Sequence, residues 1–367
     1  MEKMDATPMN QSFQCGLVVG KFSPLHLGHE SLIKRALDSC QQVVVISYSK
    51  PEFAGCESHR RDQWFAARYP TVKHLAVTDE RLQSWTNVPL AKIPDNDAAE
   101  IVHRRFCGFL CLEVLQVQVD AVFTSETYGE GFAHELTTYF RERGISSLNV
   151  KHIMVDLERA TWPISGTRVR QSIHDMRDWL SPEIYATFVK KVCFLGGEST
   201  GKSTLAAQLA KVYNTLHVAE YGRELWEQQS GTLHYDDLLK IARTQTARED
   251  LATRKASEFL FCDTSPLTTL FYSRSLFGRA DPLIESFAQR PYDHTFLCAP
   301  DFQFDQDGTR RDAEFRVHQH AWYLDQLNAR GIEHTLLTGT LESRINQVKT
   351  ILTHHTNPTP IRNTSPT

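Results

Sequence analysis

Short apolar runs alternate with amphipathic segments along most of the chain. Runs over residues 17–19, 43–47 and 192–195 are bounded by glycine, proline or polar residues, which is typical of strands buried in a sheet. Segments over 30–40 and 205–212 repeat apolar residues at helical spacing. Such alternation predicts an α/β protein with parallel sheets, in which ligands bind at the carboxyl ends of the strands.

The predicted elements fall into two groups, which suits a chain of 367 residues with two domains of ordinary size. The strands of the first group cover 17–19, 43–47, 73–77, 121–125 and 151–155, with helices over 30–40, 57–68, 97–117 and 128–143. The strands of the second cover 192–195, 216–219, 259–262, 295–299 and 334–338, with helices over 205–212, 222–229, 235–258 and 341–352. We predict domains at 13–180 and 190–353 and a disordered tail over 354–367.

A glycine-rich turn follows the first strand of the second group. Gly196, four residues and then Gly201-Lys202-Ser203 match the phosphate-loop pattern G-x4-G-K-[ST] between a strand and a helix. The loop N–H groups and the helix N-terminus would bind phosphate, Lys202 would reach the outer phosphates of ATP, and the Ser203 hydroxyl would hold Mg2+. The alternative, a strand–helix turn without nucleotide, is disfavoured by this context. The predicted ATP contacts are Gly196, Gly197, Glu198, Ser199, Thr200, Gly201, Lys202, Ser203 and Thr204.

Carboxylates and arginines follow later strands of the second group. Glu220 comes directly after the strand over 216–219, where a carboxylate can meet a substrate hydroxyl. Asp263 follows the strand over 259–262, as a Walker-B-like ligand of Mg2+ does, although an apolar run ending in aspartate is common. The polar loop after the fourth strand carries Arg310 and Arg311, and either could reach the transferring phosphoryl group; an exposed charged loop is the alternative.

The first strand of the first group leads to two histidines. His26 and His29, separated by Leu27-Gly28, lie at a predicted strand–helix junction. Their N–H groups can donate to phosphoryl oxygens whose charge shifts during substitution at an α-phosphorus. A zinc pair or two unrelated surface histidines are the alternatives, and no third zinc ligand is apparent nearby.

A second segment of the first group has the same kind of chemistry. Ser165 and Thr167 can cap a helix, and Arg168 and Arg170 follow in its first turn. By itself such a segment is more often a capped helix with surface arginines. Together with the histidine pair it predicts a phosphate clamp.

Charge, hydropathy and cysteine usage limit the partners. The formal net charge of −4 gives no electrostatic case for nucleic acid, and the sequence has no run long enough to span a membrane and no signal-peptide core. The eight cysteines are scattered, so we predict reduced, buried thiols in a cytoplasmic protein, and we expect Cys107 and Cys111 to be core residues. Whether the chain forms a homo-oligomer is left open.

The motif G-x-F-x-P-x-H-x-G-H, combined with I-S-x-T-x-x-R, resembles the nucleotidyltransferase superfamily that includes nicotinamide mononucleotide adenylyltransferases. The resemblance implies a Rossmann-like domain that binds ATP. Arg61, in an R-x-x-W stretch with Trp64, resembles a further family element. Trp85 is a candidate to stack on the cationic nicotinamide ring, with a core tryptophan as the alternative. The ATP contacts implied are Gly20, Phe22, His26, His29, Ser165, Thr167 and Arg170.

The segments G-G-E-S-T-G-K-S-T, A-E-Y-G-R-E, C-D-T and D-G-T-R occur in this order and resemble the P-loop ribosylnicotinamide kinase domain of NadR-type bifunctional proteins. The resemblance covers residues 16–352. It implies that Glu220 accepts the proton of the ribose hydroxyl or holds the ribose, and that Lys202, Ser203, Asp263 and Arg310 stabilise the phosphates. Tyr221 and Arg223 are the further substrate contacts implied.

The implied activity is NAD salvage in two steps. Nicotinamide riboside and ATP with Mg2+ give nicotinamide mononucleotide, which reacts with a second ATP to give NAD and pyrophosphate. Two departures from the family are visible. About a dozen polar residues precede the first strand in place of a DNA-binding helix-turn-helix, so we expect no repressor function, and Ser265 stands where the family often has an acidic or amide residue.

Two other functions remain open at this stage. One is another cytidylyl- or adenylyltransferase fused to a nucleoside kinase. The other is a regulatory protein in which one domain is inactive and only senses NAD. The sequence does not distinguish nicotinamide from nicotinate as the substrate base.

Overall fold

Two parallel sheets organise the protein. The computed structural model describes residues 12–86, 91–126, 128–156, 162–301 and 313–356. The chain divides into two compact units, Met1–Phe188 and Val189–Thr367, and each contains one five-stranded sheet. Neighbouring strands are parallel throughout both sheets, so the chain crosses over between them, and helices provide the crossovers. The predicted α/β fold class is confirmed for both halves.

The first unit has the strand order β3-β2-β1-β4-β5. Its strands are β1 (Phe13–Gly20), β2 (Cys40–Ser47), β3 (Lys73–Ala76), β4 (Ala121–Thr124) and β5 (Lys151–Met154). Its helices are α1 (Leu27–Ser39), α2 (Ser58–Arg68), α3 (Asp79–Trp85), α4 (Glu100–Phe109), α5 (Gly129–Glu142), α6 (Gly166–Gln171) and α7 (Pro182–Tyr185). Because the order reverses between β1 and β4, their carboxyl ends form the switch point at which open α/β sheets bind ligands.

Helices cover both faces of this sheet. Leu17 packs in one apolar cluster with Cys107 of α4 and Leu136 of α5, and the next residue along β1, Val18, is also fully buried. Successive strand residues face opposite sides, so a strand buried at both positions is covered twice. All eight cysteines are buried free thiols, as predicted, and Cys111 belongs to the same core as Cys107.

The second unit has the strand order β10-β9-β6-β8-β7. Its strands are β6 (Lys190–Leu195), β7 (Leu216–Val218), β8 (Phe259–Asp263), β9 (His294–Cys298) and β10 (Thr335–Leu337). Its helices are α8 (Lys202–Val212), α9 (Tyr221–Gln228), α10 (Tyr235–Thr253), α11 (Pro266–Phe277), α12 (Pro282–Phe287), α13 (Ala313–Ala329) and α14 (Leu341–Thr356).

The central strand β6 separates two apolar cores. Phe194 packs with residues of α8 and α14, whereas Leu195 packs with residues of α10, α11 and α13. Both residues are at most 2% exposed. The sheet therefore holds the phosphate loop, which follows Leu195, on a strand that is fixed from both sides.

Among the described helices, none combines the length and the apolar character that crossing a membrane requires.

Some helices differ from the predicted ones. The predicted helix over 97–117 consists of α4 and a wider π turn at Leu110–Val114, and the one over 235–258 ends at Thr253. The apolar pattern did not predict α3, α11, α12 or α13; in α11 the first six residues are all buried, so no helical period is visible. The helix α14 continues past 352 and ends at Thr356. Asn357-Pro358 follows, and the residue before a proline disfavours helix, which explains this end.

Candidate active sites

A cavity of about 590 Å3 lies at the carboxyl ends of β1 and β4 in the first unit. Its volume is in the usual range for a small-molecule site. One wall comes from the segment between β1 and α1, and another from α6. The predicted ATP contacts that line it are Gly20, Phe22, His26, His29, Ser165, Thr167 and Arg170.

The two histidines form a stacked pair at the start of α1. Their ring centroids are 3.7 Å apart with 19° between the planes, and the edge of Phe22 packs against His29. His26 is the N-cap residue, and its backbone N–H donates to Nδ1 of His29 at 3.4 Å. Gly28 leaves room for the stack, because a Cβ there would lie 3.2 Å from the His26 ring. The H-x-G-H spacing therefore fixes both imidazoles at the cavity wall.

The helix α6 brings the second motif to the same wall. Arg170 donates from one guanidinium nitrogen to the Ser23 carbonyl, which lies between β1 and α1, and from the other to Oγ1 of Thr167 at 3.2 Å. Ser165 caps the helix by accepting the Arg168 N–H at 3.4 Å. The structure thus joins two segments that are far apart in the sequence.

Positive charge is concentrated at this wall. Lys21, which the sequence analysis did not single out, also lines the cavity. Burial and the charge of Arg170 both lower the pKa of Lys21. Two cations held this close destabilise each other, and a bound polyphosphate would relieve that repulsion.

Two residues predicted to contact substrate do not line this cavity. Arg61 is fully buried and donates to the Cys56 carbonyl at 2.7 Å, to Glu52 at 2.8 Å and to Oγ of Ser47 at 3.2 Å. It anchors α2 to β2 and the loop after it. Trp85, at the end of α3, is 38% exposed.

A different tryptophan lines the cavity. Trp162 is separated from the I-S-G-T segment only by Pro163. Its backbone N–H donates to Asp156 at 3.2 Å, and its ring packs edge-on against Trp179. Its position next to the second motif was the signal available in the sequence. Asp156 also lines the cavity, so an aromatic face and a carboxylate lie next to each other.

The phosphate loop of the second unit encloses its own lysine. The Lys202 ammonium donates to the carbonyls of Gly196 at 3.0 Å and Gly197 at 2.9 Å. Gly201 has φ +79° and Gly196 has φ +142°, so glycine is needed at both positions. At Gly196 a Cβ would also lie 2.7 Å from the Cys298 carbonyl. Ser203 and Thr204 follow in the first turn of α8, with their side chains exposed.

A buried arginine supports the loop from outside. Arg344 of α14 is 1% exposed and donates to the carbonyls of Thr200 at 2.7 Å, Ala299 at 2.9 Å and Gly339 at 3.0 Å. It also pairs with Asp301. One side chain therefore connects the phosphate loop to the end of β9 and to the turn before α14.

Asp263 has the environment of a metal ligand. It ends β8, lies in register with Phe194 of β6 and is 2% exposed. Within the described part of the chain, its Oδ1 accepts no hydrogen bond, which is costly for a buried carboxylate oxygen. Oxygen ligands suit Mg2+, so Asp263 and the Ser203 hydroxyl fit this ion.

Glu220 follows β7 as the N-cap residue of α9 and is half-buried. Burial, and then the charge of Asp263, raise its pKa to about 7, although Lys202 acts in the opposite direction. A carboxylate that titrates near neutral pH can accept a proton from a hydroxyl group. Glu220 therefore has the properties of a general base.

The other predicted residues of this unit differ in placement. Tyr221 is buried and its N–H donates to Gln245 at 2.9 Å, whereas Arg223 pairs with Glu227 at 3.1 Å. Ser265 caps α11 by accepting the Leu267 N–H at 3.2 Å, which gives this departure from the family a structural role. Arg310 and Arg311 lie outside the described residues.

Two residues beside the phosphate loop were missed by the sequence analysis. Tyr272 of α11 donates its hydroxyl to Oε1 of Glu198 at 2.9 Å. Gln319 of α13 accepts the Glu198 N–H at 3.0 Å. Both lie on helices that the apolar pattern did not predict, so no sequence signal connected them with the loop.

Comparison with known proteins finds a separate family match in each of the two units. Residues 17–172 match the cytidylyltransferase-like family, and residues 191–344 match the AAA domain family. The chain is 26% identical over 311 residues to the trifunctional NAD biosynthesis/regulator protein NadR of Salmonella typhimurium, and 27% identical over 314 residues to that of Escherichia coli. Each match covers 80% of this chain and 71% of the relative.

Solved structures show the same fold over nearly the whole chain. A NadR protein in complex with NAD and AMP-PNP has a TM-score of 0.62 at 18% identity, covering 95% of this chain and 98% of that one. A NadR protein in complex with NR has a TM-score of 0.62 at 19% identity, covering 94% and 97%. The order of the two α/β units is therefore that of a known architecture.

Proposed function

We propose that this chain, a homologue of the NadR proteins, catalyses two consecutive steps of NAD salvage. Its kinase domain, residues 190–353, phosphorylates nicotinamide riboside on the 5′-hydroxyl with ATP. Its adenylyltransferase domain, residues 13–180, joins the resulting nicotinamide mononucleotide to the adenylyl group of a second ATP and releases pyrophosphate. The observation that supports the proposal is that each half brings together its own residues suited to binding phosphate, one set around His26 and Arg170 and one around Lys202.

In the kinase domain the loop N–H groups and Lys202 hold the β- and γ-phosphates. Ser203 and Asp263 would hold Mg2+, which neutralises charge on the transferring phosphoryl group. Glu220 accepts the proton of the 5′-hydroxyl while the oxygen of that hydroxyl attacks the γ-phosphorus. The raised pKa of Glu220 suits this transfer, because a base is most effective when its pKa is near the working pH.

In the adenylyltransferase domain the attacking group is the phosphate of nicotinamide mononucleotide. That phosphate is already ionised, so no general base is needed, and the protein acts by positioning and by stabilising charge. The imidazoles of His26 and His29 and the cations of Lys21 and Arg170 donate to the α-, β- and γ-phosphates of ATP. As pyrophosphate leaves, these donors stabilise the charge that develops on it.

The protein contains eight buried thiols and no pair of them forms a disulfide. This cysteine usage is typical of proteins that work in a reducing compartment. We therefore place the enzyme in the cytoplasm, where ATP is available for both steps.

Product analysis with the full chain tests the proposed function. Incubation with nicotinamide riboside, ATP and Mg2+ should give nicotinamide mononucleotide first and then NAD and pyrophosphate, resolved by liquid chromatography. A panel of other ribosides distinguishes a different kinase fusion, which would prefer another nucleoside. Binding of NAD without any product would instead identify a sensing protein.

Replacing Glu220 with glutamine tests its role as a base. The change keeps the shape and removes the charge, so we expect kcat of riboside phosphorylation to fall about 10²-fold or more with riboside binding largely kept. Glu224→Gln, on the same helix, is the matched control and should keep the wild-type rate. Weak binding with unchanged turnover would make Glu220 a ribose anchor and Asp263 the better candidate for the base.

Trp85 and Trp162 of the first unit make a matched pair. If the nicotinamide ring stacks on Trp162, Trp162→Ala should raise KM for nicotinamide mononucleotide about tenfold, the scale of one lost cation–π contact. Trp85→Ala should change KM less than twofold, because Trp85 does not line the cavity. Steady-state NAD formation measures both values. The reverse pattern would assign the stacking role to Trp85.

A further inference from the structure

The carboxylate of Glu198 is held in the middle of the phosphate loop. The Tyr272 hydroxyl of α11 donates to Oε1 of Glu198 at 2.9 Å. The backbone N–H of Glu198 donates to the side-chain oxygen of Gln319, on α13, at 3.0 Å. Gln319 is 1% exposed, so the second contact is rigid. Phosphate binding needs the N–H groups of such a loop but no carboxylate, which repels ATP. A carboxylate fixed at this position therefore serves something other than the nucleotide.

Glu198 belongs to the same electrostatic environment as the proposed base. Its charge is one of those that raise the pKa of Glu220, and the charges of both carboxylates, after burial, raise the pKa of Tyr272. Two cations act on Glu220. They are Lys202, which would bind the phosphates of ATP, and Arg223, which pairs with Glu227 at 3.1 Å. With Lys202 bound to ATP, less positive charge would act on Glu198 and Glu220, and the riboside hydroxyl has to lie beside Glu220 for Glu220 to act as the base.

Aromatic rings border this negative region. The Tyr272 ring lies 6.5 Å from that of Phe315, and Phe315 lies 5.6 Å from Phe271, measured between centroids. Aromatic faces attract cations, and the attraction grows when water is excluded. Carboxylates beside aromatic rings favour a flat, positively charged group over a neutral one.

We propose that Glu198, positioned by Tyr272, makes the kinase site selective for a cationic pyridinium nucleoside over a neutral nucleoside of the same size. This proposal rests on the proposed kinase function and names its selectivity residue. Nicotinamide riboside carries the required positive charge on its ring. Reduced nicotinamide riboside has nearly the same size and the same 5′-hydroxyl but a neutral ring. The two ribosides therefore differ mainly in the charge of the ring, which is what Glu198 would detect.

The test is the ratio of kcat/KM for these two ribosides, measured on the full chain. In Glu198→Gln we expect kcat/KM for the cationic riboside to fall about tenfold more than kcat/KM for the neutral riboside, because one unit of negative charge is lost. Tyr272→Phe keeps the Glu198 carboxylate but removes the hydroxyl that donates to it, so we expect a smaller fall in the ratio of kcat/KM for the cationic riboside to that for the neutral one. Glu342→Gln, an exposed carboxylate of α14, is the control and should leave the ratio unchanged.

An equal loss for both ribosides would show that Glu198 only supports the loop, and an unchanged ratio would show that it does not sense charge. Either result overturns the proposal while the kinase function stands. If the wild type phosphorylated no riboside, the proposed function would fail, and calorimetric binding of the two ribosides in the presence of AMP-PNP would still decide on Glu198. In that assay a ratio of dissociation constants that differs between wild type and Glu198→Gln supports the proposal, and an equal ratio overturns it.

Discussion

Replacing Lys202 with alanine should lower the rate of riboside phosphorylation by about 10²- to 10³-fold and leave the conversion of supplied nicotinamide mononucleotide to NAD close to the wild-type rate. The Lys202 ammonium occupies the mouth of the loop, 3.0 Å from the Gly196 carbonyl, where it would meet the outer phosphates. Loss of one charge-assisted contact to a transferring phosphoryl group costs about 3–4 kcal/mol of transition-state stabilisation, or roughly 10²- to 10³-fold in rate. Both activities are measured on the same preparation, by chromatography of the two products.

Lys211→Ala is the matched control, because Lys211 is an exposed lysine on the same helix. It should keep both activities. Lys202→Ala protein that phosphorylates the riboside at near the wild-type rate would show that the glycine-rich turn is not the kinase phosphate site.

The second large effect concerns the first unit. His29→Ala and Arg170→Ala should each lower NAD formation by roughly 10²-fold, the usual scale for one lost donor to a developing oxyanion. Because both residues act on one transition state, the double variant should lose less than the product of the two single losses. Nicotinamide mononucleotide made from riboside should accumulate in every variant, because the kinase domain is unchanged.

His59→Ala, at an exposed histidine of α2, is the control and should form NAD at the wild-type rate. Losses that multiply fully, or a kinase rate that falls together with NAD synthesis, would contradict a shared clamp that works separately from the kinase. The zinc alternative predicts metal in the purified protein and loss of folding when His29 is removed.

The parts of the sites whose geometry can be predicted from the sequence are those in which chemistry and backbone geometry lie in one short segment. The phosphate loop combines its glycines, its lysine and its helix start within eight residues, Gly196 to Ser203, so its pattern specifies its shape. The H-x-G-H pair is similar, since Gly28 permits the stack of its two neighbours. The fold class followed from the apolar runs within the strands, such as 43–46 of β2 and 192–195 of β6, which are buried because helices cover both faces.

What the sequence did not predict depends on packing between distant segments. Trp85 and Trp162 are both plausible ring partners by residue type, and only the folded chain shows which of them reaches the cavity. Arg61 was interpreted from a family pattern, but its guanidinium is buried and donates to Ser47, Cys56 and Glu52. Tyr272 contacts Glu198 from a helix whose first turns are buried on every side, and such a helix has no amphipathic period to detect.

The contacts of Arg344 have a consequence for how the kinase site forms during synthesis. A ribosome releases the phosphate loop long before it releases α14, and domains fold as units while the chain emerges. The Thr200 carbonyl therefore lacks its donor, the Arg344 guanidinium, until α14 has left the ribosome. The Arg344 contacts of the phosphate loop therefore form last, after all five strands of the sheet have been synthesised, and we expect a nascent chain to bind nucleotide there only when α14 can pack.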